Sequence, residues 1–189
     1  MRAKVAVALS FVIVTPVLGD VERPNSPRVF VSDYQECYAK SVPVEDYGDS
    51  GTTSIFRVQP GNDRLIFTYP WYSQQLYLRC LLFSPCPSNI QVVRFGPWAR
   101  GSQAKASDLA IAFYLDGRLL RSYSTLDIAG TPSNIERSSN HYSVFDAVPG
   151  YERGPGMDLF RVHTFDGRLL SFDLDTGALV GTDRDRSEG

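Results

Sequence analysis

The sequence predicts an all-β fold, a single antiparallel β-sandwich or open barrel of about eight to ten short strands. Short runs rich in aromatic and β-branched residues recur between Gly, Pro, Asn and Asp. No stretch sustains the 3.6-residue periodicity of an amphipathic helix. Asp-Gly, the strongest short hairpin signal, stands twice between apolar runs, in Leu115-Asp116-Gly117-Arg118-Leu119-Leu120 and in Phe165-Asp166-Gly167-Arg168-Leu169-Leu170.

The first segment of the chain is not part of that fold. Arg2 and Lys4 precede an apolar run over residues 5–14, and Thr15, Pro16, Val17, Leu18 and Gly19 follow before the acidic Asp20 and Glu22. A positive start, a short apolar middle and small residues at a cleavage junction are the three parts of a secretory signal peptide, with cleavage after Gly19. The run is too short to span a bilayer, which takes roughly 20 apolar residues. The junction carries no cysteine to accept a lipid. The expected organisation is therefore a signal peptide over 1–19, a single β domain over 20–182 and a disordered charged tail over 183–189. The protein is placed outside the cytoplasm, in the periplasm or beyond, with no membrane span after cleavage.

The remaining 170 residues suit one domain with a real core. They hold 17 basic against 21 acidic residues, a balance of −4, and the basic residues are scattered. That argues against a nucleic-acid partner, since binding phosphates needs a basic face.

Expected strands cover 28–32, 53–59, 64–69, 75–82, 90–95, 109–115, 118–123, 141–145, 158–165 and 168–173. The first hairpin turns through Pro60, Gly61, Asn62 and Asp63, residues that supply fixed or positive φ. Leu76, Leu78, Cys80 and Leu82 share one face of their strand, so Cys80 points at the core. A type I′ turn at each Asp-Gly pairs Leu115 with Arg118 and Phe113 with Leu120, then Phe165 with Arg168 and His163 with Leu170. Of three cysteines, Cys80 and Cys86 are close enough in sequence to bridge at a Pro-marked turn, which leaves Cys37 a free, buried thiol.

Several short motifs suit turns better than active sites. Gly48-Asp49-Ser50-Gly51 resembles the nucleophile motif of chymotrypsin-like serine proteases, yet both histidines, His141 and His163, come after the serine instead of before it. Asp173-Leu174-Asp175-Thr176-Gly177 resembles the start of a calcium loop, but the position that should supply the closing carboxylate is Arg184. Residues 166–177 resemble a strand pair of a quinoprotein-type β-propeller blade, in a chain with no room for several blades. Two histidines and three cysteines supply no metal site of ordinary spacing, and no cofactor motif is present.

Gly96-Pro97-Trp98-Ala99-Arg100-Gly101, with Ser124-Thr125-Leu126-Asp127-Ile128-Ala129, is similar to a family of uncharacterised exported bacterial proteins. The resemblance runs from Tyr38 to Thr176 and implies a periplasmic setting without implying catalytic residues. Aromatics in Pro- and Gly-marked segments, Trp71, Tyr72 and Trp98, are the candidate binding residues, because such rings stack on sugars or grip peptides. The expected function is that of a non-enzymatic binding or interaction protein of the bacterial envelope, with an envelope protein or glycan as partner. The alternative is a periplasmic hydrolase whose site brings His141 or His163 to Asp127, Asp146 or Asp173.

The secreted form is expected to begin at Asp20. Intact mass of protein purified from the envelope fraction checks this, and retention of residues 1–19 would contradict it.

Overall fold

The computed structural model describes residues 22–33, 35–80, 89–101, 103–154 and 156–184. The expected signal peptide and its junction, Leu82, Cys86 and residues 185–189 lie outside them.

Among these residues, fifteen strands form four sheets in which every pairing is antiparallel. A front sheet is a simple meander of β1 (Arg28–Val31), β2 (Cys37–Pro43), β3 (Gly51–Arg57) and β4 (Arg64–Tyr69). A central sheet pairs β5 (Leu76–Cys80), β6 (Ile90–Phe95), β8 (Leu109–Leu115) and β9 (Arg118–Ser124). A rear sheet continues with β12 (Phe145–Gly154), β13 (Met157–Thr164), β14 (Arg168–Asp173) and β15 (Leu179–Arg184). A small sheet, ordered β10 (Glu136–Arg137), β11 (His141–Ser143) and β7 (Ala99–Arg100), ties the connections together. One short helix, α1 (Thr125–Ala129), starts at a capping box in which Ser124 and Asp127 satisfy each other's backbone N–H.

The all-β class holds, but the expected single sandwich does not: the central sheet is covered on both faces. On one face Leu76, Leu78, Cys80, Ile90 and Val92 pack against Cys37, Ala39 and Ile55 of the front sheet. On the other, Val93, Phe95, Ile111 and Phe113 pack against Phe160, Val162, Leu170 and Phe172 of the rear sheet. All six residues of β6 are therefore buried. A strand buried on both faces loses the apolar–polar alternation of a half-exposed one, so Ile90-Gln91-Val92-Val93-Arg94-Phe95 reads as a strand without revealing two neighbours.

The polar residues of this layer are paired outward, as burial demands. Arg79 meets Asp158 of the rear sheet at 2.8 Å. Gln91 donates to Asp175 at 3.2 Å. Arg94 reaches the opposite way, 2.5 Å from Asp49 and with its guanidinium 4.5 Å over the Trp71 ring.

The cysteine pairing differs from the expectation. Cys80 is bonded to Cys37, not to Cys86, with their Cα atoms 6.3 Å apart. Residues 37–43 hold Ala, Lys, Ser and Pro, poor strand formers, and β2 is among the strands the sequence does not announce. Once β2 forms, Cys37 faces inward beside Ala39, directly onto the apolar face that carries Cys80. A bridge spanning 43 residues of sequence also constrains the unfolded chain by about 4 kcal/mol in the loop-entropy account, against about 2 kcal/mol for a turn-sized loop.

The two Asp-Gly turns are not alike. Asp116 and Gly117 both have positive φ, 49° and 81°, and Leu115 pairs with Arg118 as a type I′ turn requires. A bulge between Phe113 and Tyr114 then sets Phe113 opposite Arg121 instead of Leu120. In the second turn only Gly167 is left-handed, at 75°. The loop is one residue longer, because the Thr164 hydroxyl both donates to the Arg168 carbonyl, at 3.1 Å, and accepts from its N–H, at 3.2 Å. His163 therefore pairs with Leu169, not Leu170, and Phe165 leaves the ladder for solvent. Strand β15 also shortens the expected tail, since Asp183 and Arg184 pair with Leu169 and Arg168.

Gly117→Val is expected to destabilise more than Gly167→Val. Both force a branched residue to positive φ, at a cost of about 1–3 kcal/mol. A Cβ at Gly117 would also lie 2.8 Å from the Phe67 ring, whereas one at Gly167 meets nothing within 4 Å. Melting curves of the two variants check the order.

Candidate functional site

The segment after β6 is built to cross a neighbour closely. A Cβ on Gly96 would overlap the carbonyl of Leu109, so only glycine fits there. Pro97 stiffens the next step, and Trp98 emerges 38% exposed just before β7.

One face of the Trp98 indole is taken. It stacks on the His141 imidazole with centroids 4.5 Å apart and planes 17° apart. His141 is buried at the start of β11, and its backbone pairs with Arg100 in β7. Its Nε2 lies 3.4 Å from Oε2 of Glu22, which is also buried and accepts a 2.6 Å hydrogen bond from Nε of Arg100. The Arg100 guanidinium then sits 4.0 Å over the Tyr47 ring. An unbroken chain of contacts thus runs Trp98, His141, Glu22, Arg100, Tyr47. Nδ1 of His141 is buried and has no hydrogen-bond partner among the described residues.

The N-terminal segment holds this chain in place. Asn25 bonds the carbonyls of Glu45 and Gly48 through its side chain and that of Asp46 through its backbone N–H. The Tyr72 hydroxyl donates to Ser26 at 2.9 Å. Glu22 is thereby carried to the small sheet across the loop that bears Tyr47.

Trp98, with Pro97, Ala99 and Leu109, forms a ridge shared by two clefts. The cleft of about 410 Å³ includes Gln75, Tyr77, Phe95, Ser143, Phe145 and Asp146 in its lining. Its wall is the first part of β12, where the register shifts between Phe145 and Ala147 and again between Ala147 and Gly150. Such bulges stop an edge from pairing further and re-aim side chains. The cleft of about 510 Å³ holds Glu45, Tyr47, Asp49, Arg100 and Asp108. Two of its carboxylates are already engaged: Asp49 by Arg94, and Asp108 by the Tyr142 hydroxyl and the Lys105 N–H. Burial, followed by the hydrogen bond to Asp108, pushes Tyr142 up to about 12.

Of the three candidate aromatics, only Trp98 presents a ring to solvent. Trp71 is 7% exposed, stacked on Tyr69 at 4.7 Å and covered by Arg94. Tyr72 is 1% exposed. Both are packing residues of the front half, because the connection after β4 turns back over the core instead of projecting from it. The residues of the hydrolase alternative do not come together either. His141 has Glu22 as its acidic neighbour. His163 lies in β13 opposite Ala147 and Leu169. The Asp127 carboxylate caps α1, and hydrogen bonds from Ser124 hold it below the usual carboxylate range. Asp173 accepts from Asp175 and Thr176 within its own turn. Of the three aspartates, Asp146 lines one of the two clefts described above, and Asp127 and Asp173 line neither. Gly48-Asp49-Ser50-Gly51 is a turn whose aspartate serves Arg94.

The sequence gives Glu22, Arg100 and Tyr47 no functional mark of their own. Glu22 lies three residues past the expected signal junction, where an acidic residue reads as the end of an apolar run, and nothing local marks its burial. Among the described residues, no group of three or more His, Cys, Asp or Glu could hold a metal ion, and no helix is long and apolar enough to cross a membrane. No protein-family model, curated protein or solved structure matches this chain.

Two outcomes follow from this geometry. Glu22→Ala is expected to destabilise the fold by about 1–3 kcal/mol, because Arg100 and the buried His141 lose their shared acceptor; urea titration measures it. Tyr142 titrates near 10 when unfolded and near 12 when folded, so its contribution is complete below pH 10 and is lost as pH rises through 12. Relative to Tyr142→Phe, the unaltered protein should therefore lose stability between those values, and a constant gap in melting temperature from pH 8 to 12 would contradict this.

Proposed function

We propose that the chain is exported and acts as a non-enzymatic binding protein of the bacterial cell envelope, in the periplasm, and that it takes an envelope glycan or protein in the clefts beside Trp98. The observation that carries this reading is the immobilised indole. One face of Trp98 rests on His141, which is held in turn by Glu22 and Arg100. The other face is free to meet a ligand with little rotamer entropy left to lose.

The cleft linings support the same reading. Rings stand beside amide, hydroxyl and carboxylate groups, the mixture that lets a sugar or an extended peptide stack and hydrogen-bond together. The Cys37–Cys80 bond is at home in an oxidising compartment outside the cytoplasm, in keeping with the signal-like start of the chain. Trp98 also belongs to the segment through which the chain resembles uncharacterised exported bacterial proteins.

Trp98→Ala is expected to abolish capture of partners from an envelope extract while shifting the melting temperature little. Trp71→Ala should do the reverse, with stability reduced by about 3 kcal/mol or more and capture retained by the protein that stays folded. Undiminished capture by Trp98→Ala would overturn the assignment.

A further inference from the structure

The front sheet covers the central sheet with one face only, and its register lines up apolar residues across the other. Val31 lies opposite Tyr38, Tyr38 opposite Phe56, and Phe56 opposite Leu65, one residue from each of the four strands. The buried residues Cys37, Ala39 and Ile55 occupy the alternate positions, so this row points away from the core. The middle of the row is rigid. The Tyr38 and Phe56 rings stack with centroids 5.1 Å apart and planes 15° apart, and Asp63 accepts from the Tyr38 hydroxyl at 3.0 Å. The ends are open: Val31 is 57% and Leu65 54% exposed. Val29 lies on the same face in the next row, opposite Lys40, and Val58 follows β3 with its N–H bonded to Glu36. Four of the twelve exposed large apolar residues described thus gather on one sheet face, a concentration expected of an interface and not of scattered surface residues.

The charges flanking the row indicate the occupant. Tyr38 and Lys40 point outward from β2, and Glu36, in the bend just before the strand with its carbonyl accepting from the Val58 N–H, stands on the other side of the ring; the acid and the base are both exposed. Two copies can lie face to face with a two-fold axis along the row. Each β2 then runs antiparallel over its counterpart, Tyr38 faces Tyr38, and the Lys40 of each copy faces the Glu36 of the other. A change of charge sign across the axis is what an isologous contact needs, because like charges there would repel. We infer that the open face of the front sheet is a self-association surface, through which two copies pair by the Val31–Tyr38–Phe56–Leu65 row and are held in register by two Lys40–Glu36 contacts. The surface has an aromatic centre and a polar rim. It is separate from the clefts at Trp98, so a dimer would present two copies of that site.

Sedimentation equilibrium of the purified protein tests this, with melting curves to show that each variant is folded. The unaltered protein should dimerise reversibly as its concentration rises into the high micromolar range. Lys40→Glu should weaken dimerisation at least about tenfold, since it sets like charges opposite each other twice. Adding Glu36→Lys to Lys40→Glu should restore it, and Leu65→Asp should abolish it whatever the charges. A protein that is monomeric throughout would overturn the inference. So would a dimer indifferent to Leu65→Asp, or a Lys40→Glu defect that Glu36→Lys fails to repair.

Discussion

Burial of the central sheet on both faces is the constraint on which the rest of the molecule depends. Among the described residues, the front and rear sheets each pack on the central strands, and the two apolar clusters lie on opposite faces of that shared layer. A one-residue slip of β6 would exchange its faces and drive Arg94 and Gln91 into the wrong cores. Arg94 finds Asp49 and the Trp71 ring on the front side, while Arg79 and Gln91 find Asp158 and Asp175 on the rear. Those contacts are consistent with a single register. The disulfide adds a covalent tie on the front side only, between the start of β2 and the end of β5.

The candidate site follows from the same arrangement. Where β6 ends, the chain must leave a layer that is closed above and below, and Gly96 permits it to do so against the Leu109 carbonyl. Trp98 is the first large side chain to reach solvent beyond that point. The small sheet and the N-terminal segment then converge on it from elements distant in sequence: β11 brings His141, β7 brings Arg100, and Asn25 and Ser26 anchor the segment that brings Glu22. A surface indole is ordinarily mobile, but this one is braced by a histidine whose own neighbour is the buried Glu22, paired in turn with the half-exposed Arg100.

Much of the β architecture could be read from local pattern, because local pattern is what made it. β4, β6, β8 and β14 coincide with the expected strands, and the first Asp-Gly turn has the backbone its residues demand. What escaped notice depended on partners far away. Apart from Tyr38 and Val42, β2 is made of poor strand formers and is defined by what covers it, so its cysteine carries no local sign of its partner and Cys86 is the nearer one in sequence to Cys80. The second Asp-Gly turn differs from the first through one hydroxyl, that of Thr164, which no turn rule weighs. Trp71 and Tyr72 sit in the Pro-marked kind of segment that often projects from a sheet, and only the path of the chain after β4 shows them folded inward. Glu22 and Arg100 carry no signal at all, since an ion pair across 78 positions leaves no local mark.

Native-state hydrogen exchange tests most directly whether the central sheet is the shared core. The amides of Val92 and Val93 in β6 should be among the slowest in the molecule, exchanging only with the free energy of global unfolding, while those of β1 and β15 at the outer edges open locally at lower cost. If the amides of β2 and β3, or of β13 and β14, persist after those of β6 have exchanged, then an outer sheet holds itself together without the central one, and a core shared through β6 is contradicted.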